Sequence, residues 1–148
     1  MQKRRKQPFL LFTVLSLFVL YSCEKSGADY YTEYQKQAFD MMHGSFKNEF
    51  YGITTTVTFG KHYQKPLKAR YSKDGTNREI HGEITISYWN GDSYTRYYQL
   101  SPDACSLYMY DDKKNISLTY YKEFVYVDAD TFRWREWKGD FWDTYKRY

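Results

Sequence analysis

The chain has 148 residues, the length of one domain, which excludes a multidomain enzyme. Its formal net charge of +4 equals the charge of the basic run at positions 3–6, so the remainder of the chain is neutral. A neutral domain lacks the positive surface of a nucleic-acid-binding protein, and we therefore expect no nucleic acid as a partner. Aromatic residues make up 22% of the chain, which favours β-strands.

Residues 1–22 have the pattern of a signal peptide. The basic start is followed by an uncharged apolar run at positions 9–21. As a helix this run would rise about 20 Å, which is short of the roughly 30 Å hydrocarbon core of a bilayer. A cleaved signal therefore fits the segment better than a permanent transmembrane helix.

The apolar run ends in Leu20-Tyr21-Ser22-Cys23, which resembles a bacterial lipobox. The resemblance implies that Cys23 is acylated and becomes the first residue after cleavage, so that the protein is held by lipid in the bacterial cell envelope, at the outer membrane. The membrane is then a partner through Cys23, and residues 23–28 form the lipidated N-terminus and a short linker. A disulfide between Cys23 and Cys105 is the alternative. With Cys23 lipidated, we expect Cys105 to be a buried free thiol.

A short helix is predicted at the start of the mature domain. Asp29 can cap a helix over residues 30–42, and Gly44 ends it. Four residues recur at helical spacing and are expected to pack on a core: Tyr30, Tyr34, Ala38 and Met41.

From residue 45 onward the hydrophobic period changes to two, which indicates strands with one buried face. Asn90-Gly91-Asp92 predicts a tight hairpin turn. A change of phase at Gly52 predicts a bulge or a sharp bend in one long first strand. Residues 61–77 are the least regular, with a short edge strand predicted over 67–71. The inner face is predicted to include Ile80, Gly82, Ile84, Ile86, Tyr88, Tyr94, Tyr98, Leu100, Cys105, Leu107, Met109, Tyr120 and Trp134.

The pattern predicts a mainly β fold in one domain over residues 29–148. Eight to ten strands are joined by short turns, and no segment is long enough for the crossover helix that parallel strands need. Closure removes the strand edges that an aromatic sheet would otherwise expose. We therefore predict an antiparallel up-and-down β-barrel with a short N-terminal helix.

Both ends of this domain resemble lipocalins. Gly44-Ser45-Phe46 follows the helix and resembles the family's Gly-x-Trp, with Phe46 in the place of the tryptophan. Tyr145-Lys146-Arg147 on the last strand is similar to the segment that carries the family's closing basic residue. The resemblance is to small bacterial lipocalin-like lipoproteins. It implies that Arg147 lies over the ring of Phe46 at the closed end, and that the mouth holds a small hydrophobic ligand.

Two functions follow from these patterns. In the first, the barrel binds a small hydrophobic ligand through inner-face aromatic residues near the mouth, for which the candidates are Tyr88, Tyr98, Tyr120 and Trp134. In the second, the barrel is filled solid and contacts a glycan or another envelope protein through outward aromatic residues. These are Tyr97, Tyr108, Tyr110, Tyr121 and Trp137.

Catalytic and metal-binding patterns are weak. His43, His62 and His81 follow no ligand spacing. Asp140 and Asp143 could act as an acid and a base, but no third group orients them. We therefore expect a monomeric binding protein with no enzymatic activity, no metal and no cofactor.

Overall fold

The computed structural model of the chain describes residues 30–68, 79–113 and 118–148. The predicted signal peptide, Cys23 with its linker, and Asp29 lie outside these residues. So does most of the predicted edge strand at 67–71.

The described residues form a closed barrel of eight antiparallel strands and one short helix. Each strand pairs with the next along the chain, and β8 pairs with β1. The fold is therefore the predicted mainly β, up-and-down barrel. In chain order the elements are α1 (Glu33–Met41), β1 (Gly44–Phe50), β2 (Ile53–Lys68), β3 (Glu79–Tyr88), β4 (Ser93–Leu100), β5 (Ser106–Tyr110), β6 (Leu118–Asp128), β7 (Thr131–Glu136) and β8 (Asp143–Arg147).

The two ends of the barrel differ. β1, β3, β5 and β7 end, and β2, β4, β6 and β8 begin, at one end of the barrel, which we call the mouth. At the opposite end, which we call the base, β2, β4 and β6 end and helix α1 lies. Near the start of α1, the Tyr31 hydroxyl donates a hydrogen bond to the carbonyl of Tyr63, at 2.6 Å. Gln35 Nε2 donates to the carbonyl of Leu100, at 2.8 Å. The helix is thereby fixed to β2 and β4 at the base.

Helix α1 begins later than predicted. Its N-cap is Thr32, which forms a capping box with Gln35, so the prediction of Asp29 as the cap is wrong. Gln35 is buried with Ala38 and Met41, whereas Tyr30 and Tyr34 are exposed. The buried stripe is therefore shifted around the helix from the predicted one.

The predicted long first strand is two strands. Tyr51 and Gly52 both have positive φ angles, 49° and 77°, and Phe50 pairs with Ile53. Two consecutive residues with positive φ are typical of a two-residue hairpin turn. The change of phase at Gly52 therefore marks a hairpin and not a bulge.

Aromatic rings fill the lower half of the barrel. Phe132 lies at the centre and stacks on Tyr145, with ring centroids 5.0 Å apart and planes at 2°. Phe124 stacks on its other side at 5.6 Å, and Phe46 meets it edge-on at 5.2 Å. These rings leave the base solid.

Arg147 joins this aromatic core to the base. Its guanidinium lies 4.5 Å from the centre of the Phe46 ring, which is the predicted contact. It also donates hydrogen bonds to the carbonyls of Met41, His43 and Ala129, and to Asp130 Oδ1, at 2.6–3.0 Å. One side chain therefore connects β8 to the end of α1 and to the β6–β7 turn.

Gly44 provides the space for this arrangement. Its φ angle is +74°, and a Cβ at this position would lie 3.2 Å from Arg147 Nη1. A larger residue would strain the backbone and displace the guanidinium.

Three inner or outer assignments from alternation are wrong. His81 was placed on the wet face of β3 but is buried, while its neighbour Ile80 belongs to a second apolar cluster with Tyr110. Register shifts between β2 and β3 at this point change which face each residue occupies. Tyr110, predicted to be exposed, is therefore covered. Cys105 is exposed, because Ala104 takes the buried place in the β4–β5 turn.

We expect replacement of Arg147 by alanine to lower the free energy of unfolding by about 2–4 kcal/mol, because carbonyls at the end of α1 and in the β6–β7 turn lose their donor and the ring of Phe46 loses its cation. Arg147→Lys should fall between this variant and the wild type, since lysine cannot reach all four partners. Denaturant unfolding followed by circular dichroism measures the effect. Lys146→Ala is the matched control, because Lys146 is exposed on the same strand. Equal stabilities of Arg147→Ala and Lys146→Ala would contradict the prediction.

Candidate functional site

A cavity of about 230 Å³ opens at the mouth of the barrel. Three of the four predicted ligand-binding residues line it, namely Tyr88, Tyr120 and Trp134. The remaining lining residues are Thr55, Ile86, Arg96, Met109, Lys122, Glu136, Asp143 and Tyr145.

The floor of the cavity is rigid. Trp134 and Tyr145 are both buried, with ring centroids 4.9 Å apart. Tyr145 in turn stacks on Phe132 in the solid core. A ligand at the mouth would therefore rest on aromatic side chains that packing already holds in place.

The fourth predicted residue, Tyr98, does not line this cavity. It is 0% exposed and packs edge-on against Phe59 and His62, towards the base. A Cβ on Gly82 would lie 2.9 Å from its ring, so the glycine makes room for it. Alternation assigned Tyr98 to the correct face of β4 but not to the correct depth, and its placement at the mouth is wrong.

Four charged residues that the sequence interpretation missed also line the cavity: Arg96, Lys122, Glu136 and Asp143. Three of them are two positions from a residue already assigned to the inner face: Arg96 from Tyr98, Lys122 from Tyr120, and Glu136 from Trp134. The period of two therefore contained the signal. It was overlooked because only apolar residues were followed along each strand.

Arg96 lies against the wall of the cavity. Its guanidinium is 4.2 Å from the centre of the Tyr120 ring and 5.4 Å from that of Tyr94. Its Nε donates to Asp111 Oδ1 at 2.8 Å. The side chain of Arg96 is 13% exposed, whereas that of Asp111 is 64% exposed, so the ion pair is open to water on the side of the carboxylate. Tyr88, Arg96 and Tyr120 also line an adjoining cleft with Asp92 and Tyr94.

Lys122, on β6, has a similar environment. Its ammonium forms an ion pair with Glu136, its cross-strand partner on β7, and lies 5.5 Å from the centre of the Trp134 ring. Each basic residue of the cavity is thus placed between a carboxylate and an aromatic ring.

Asp143 differs from the other carboxylates of the mouth. Among the described residues, no side chain donates a hydrogen bond to it or forms an ion pair with it. Burial raises the pKa of Asp143; the nearby charge of Lys122 opposes this shift and that of Glu136 adds to it. Burial and the charge of Asp143 in turn raise the pKa of Tyr145.

Exposed aromatic residues surround the mouth. They lie on the β1–β2, β3–β4 and β7–β8 connections, and Tyr51 and Phe141 are 91% and 85% exposed. We call this set the aromatic rim: Phe50, Tyr51, Trp89, Trp137 and Phe141. Of the five outward aromatic residues predicted from alternation, only Trp137 belongs to it. Tyr97, Tyr108 and Tyr110 are instead packed with Ile80 in the second apolar cluster.

The histidines lie at the base and not at the mouth. His62 and His81 both contact Phe39 of α1, with ring centroids 5.7 and 5.4 Å apart. His81 Nδ1 accepts a hydrogen bond from the Leu100 amide at 3.1 Å. Within the described ranges, no three acidic, histidine or cysteine side chains come together as metal ligands.

Comparisons of the sequence with protein-family models, curated proteins and solved structures found no match. In the described part of the chain, no helix has the length and apolar character needed to cross a membrane. The case for a function therefore rests on the geometry of the mouth.

The buried histidine at the base predicts a dependence of stability on pH. Burial, with a smaller contribution from His62, lowers the pKa of His81 to about 4. The unfolded chain, with an ordinary histidine pKa of about 6.5, binds the proton first as the pH falls, so stability is lost from pH 6.5 downwards. Between pH 7 and pH 5, we expect His81 to cost about 2 kcal/mol of unfolding free energy.

Denaturant unfolding at the two pH values measures this loss. His81→Asn should reduce it, since the amide oxygen can still accept from the Leu100 amide and does not titrate. His43→Asn is the control, because His43 is exposed and should leave the pH dependence in place. An unchanged pH dependence in His81→Asn would contradict the assignment.

Proposed function

We propose that the protein is a lipocalin-like binding lipoprotein, anchored in the bacterial outer membrane through Cys23, that holds one small ligand in the mouth of its barrel. The observation that supports this proposal most strongly is the open cavity above a solid core. The period-two pattern of the sequence predicted that Tyr88, Tyr120 and Trp134 would face a ligand, and all three line this cavity. An aromatic cavity with a few polar groups is the usual form of a small-molecule site.

The lining indicates an amphipathic ligand. Aromatic rings offer an apolar floor, but Arg96, Lys122, Glu136 and Asp143 also face the space. A wholly apolar ligand would remove water from these charges without replacing its hydrogen bonds, which is unfavourable. A volume of about 230 Å³ is below the usual range for drug-sized ligands. We therefore propose a small hydrophobic compound that also carries a polar group.

The position of α1 supports an orientation for the anchored protein. The first described residue, Tyr30, lies beside α1 at the base. The chain from Cys23 to Tyr30 can span at most about 25 Å. With Cys23 in the bilayer, the base would face the membrane, and the mouth would face away from it.

The aromatic rim favours a second candidate, an interaction lipoprotein that contacts a glycan. Rings on hairpin tips at one end of a barrel form an exposed surface on which sugar rings can stack. Trp137 belongs to this rim, whereas Trp134 belongs to the cavity, and the two are three residues apart on one hairpin. This pair separates the two candidates.

We expect Trp134→Ala to reduce the fluorescence gain of an environment-sensitive apolar probe far more than Trp137→Ala, because Trp134 lines the cavity and Trp137 does not. The full chain is purified in detergent and compared with micelles that lack protein. Thermal melting establishes that both variants are folded.

The same two variants are tested for cosedimentation with insoluble cell-envelope polysaccharide. Binding that is weakened by Trp137→Ala and not by Trp134→Ala, together with no probe uptake by the folded wild type, would favour the glycan-binding alternative. Equal probe responses of the two variants would contradict the cavity as the ligand site.

The anchor has its own test. Replacement of Cys23 by serine should leave the chain unlipidated and unprocessed, because the modified sulfur is what the lipobox resemblance implies for cleavage. Mass spectrometry of the protein from detergent-solubilised membranes measures the acyl mass and the N-terminus. A variant that still fractionates with membranes at the mature size would refute the anchor.

A further inference from the structure

The charged residues of the mouth follow one pattern. Arg96 is paired with Asp111 and lies over Tyr120, and Lys122 is paired with Glu136 and lies over Trp134. A cation between a carboxylate and an aromatic face is stabilised by both, since the ring presents negative charge on its face. The protein thus uses the same arrangement twice with its own side chains.

Asp143 lines the cavity without an ion-pair partner among the described residues, although the charge of Lys122 acts on it from nearby. It is the cross-strand partner of Trp134 on the mouth side of the floor, and Tyr145 lies two positions further along the same face of β8. The lining carries two cations and two carboxylates, but Arg96 is paired with Asp111, which does not line the cavity, and Lys122 is paired with Glu136. Asp143 is therefore the carboxylate of the lining with which the cation of a ligand can pair.

We propose that Asp143, with the rings of Trp134 and Tyr145, binds the ammonium group of a small organic cation in the mouth. This inference rests on the proposed ligand-binding function and adds the chemical class of the ligand. The apolar part of such a compound would contact Tyr88 and Met109, which line the same cavity.

Two further observations support a cation over an anionic ligand. The basic side chains that an anion would need, Arg96 and Lys122, are engaged with carboxylates and rings. Partial burial and the charge of Glu136 also raise the pKa of Asp143, and a bound cation would favour its ionised form.

The test compares choline with 3,3-dimethyl-1-butanol, a neutral compound of nearly the same shape. Calorimetric titration of the full chain in detergent measures both affinities. We expect choline to bind at least tenfold more tightly than the neutral compound, and ethanolamine shows whether a primary ammonium is accepted as well. Asp143→Asn should reduce choline affinity at least tenfold.

Asp140→Asn is the matched control, because Asp140 is an exposed carboxylate on the same hairpin and does not line the cavity. It should bind choline like the wild type. A second variant, Glu136→Gln, frees the Lys122 ammonium from its carboxylate so that it competes for Asp143. It should therefore also weaken choline binding, which keeps the test valid if Asp143→Asn fails to fold.

The outcomes distinguish the two proposals. If the apolar probe enters the wild-type cavity in a Trp134-dependent way, but choline binds no better than the neutral compound or is unaffected by Asp143→Asn, the cation site is refuted and the binding function stands. If neither the probe nor choline binds to the folded wild type, both proposals are refuted.

Discussion

The hydrogen bonds of one guanidinium determine how this barrel is closed. Arg147 is the last residue of β8, yet it contacts the end of α1, the turn between β6 and β7, and the ring of Phe46 on β1. These elements are far apart in sequence, and their carbonyl groups point to a common centre only in the closed barrel. A planar group with five N–H donors can bind them together, whereas an ammonium cannot. The closed base in turn makes the mouth the accessible end.

Closure at the base also explains why the structure tolerates polar groups inside it. Gln35 and His81 are buried where α1 meets the barrel, and each is hydrogen-bonded to the backbone of Leu100. The Gln35 bond fixes the helix to β4, and the His81 bond links β3 to the same residue of β4. His81 accepts through a neutral ring nitrogen, and the same ring packs edge-on against Phe39 of α1.

Much of the fold followed from local patterns in the sequence. The alternation in β3 from Gly82 to Ser87, the Asn90-Gly91-Asp92 hairpin and the Arg147–Phe46 contact are present as expected. Where the hydrophobic pattern gave a wrong prediction, two different backbone geometries produce the same pattern. A two-residue turn at Tyr51-Gly52 and a bulge both shift the phase by the same amount, and the register shifts opposite β2 reversed the face of His81. Alternation also carries no information on depth, which is why Tyr98 was placed at the mouth.

The charged residues that line the mouth explain why the barrel has a cavity there. An eight-stranded barrel is only just wide enough for its own side chains to fill it, and the rings around Phe132 do fill the lower half. At the mouth, the long side chains of Arg96 and Lys122 line the cavity, and each is held by an ion pair and by contact with an aromatic ring. Apolar residues of the same size would have no such reason to stay apart and would collapse together. The charges therefore keep open the space in which a ligand can bind.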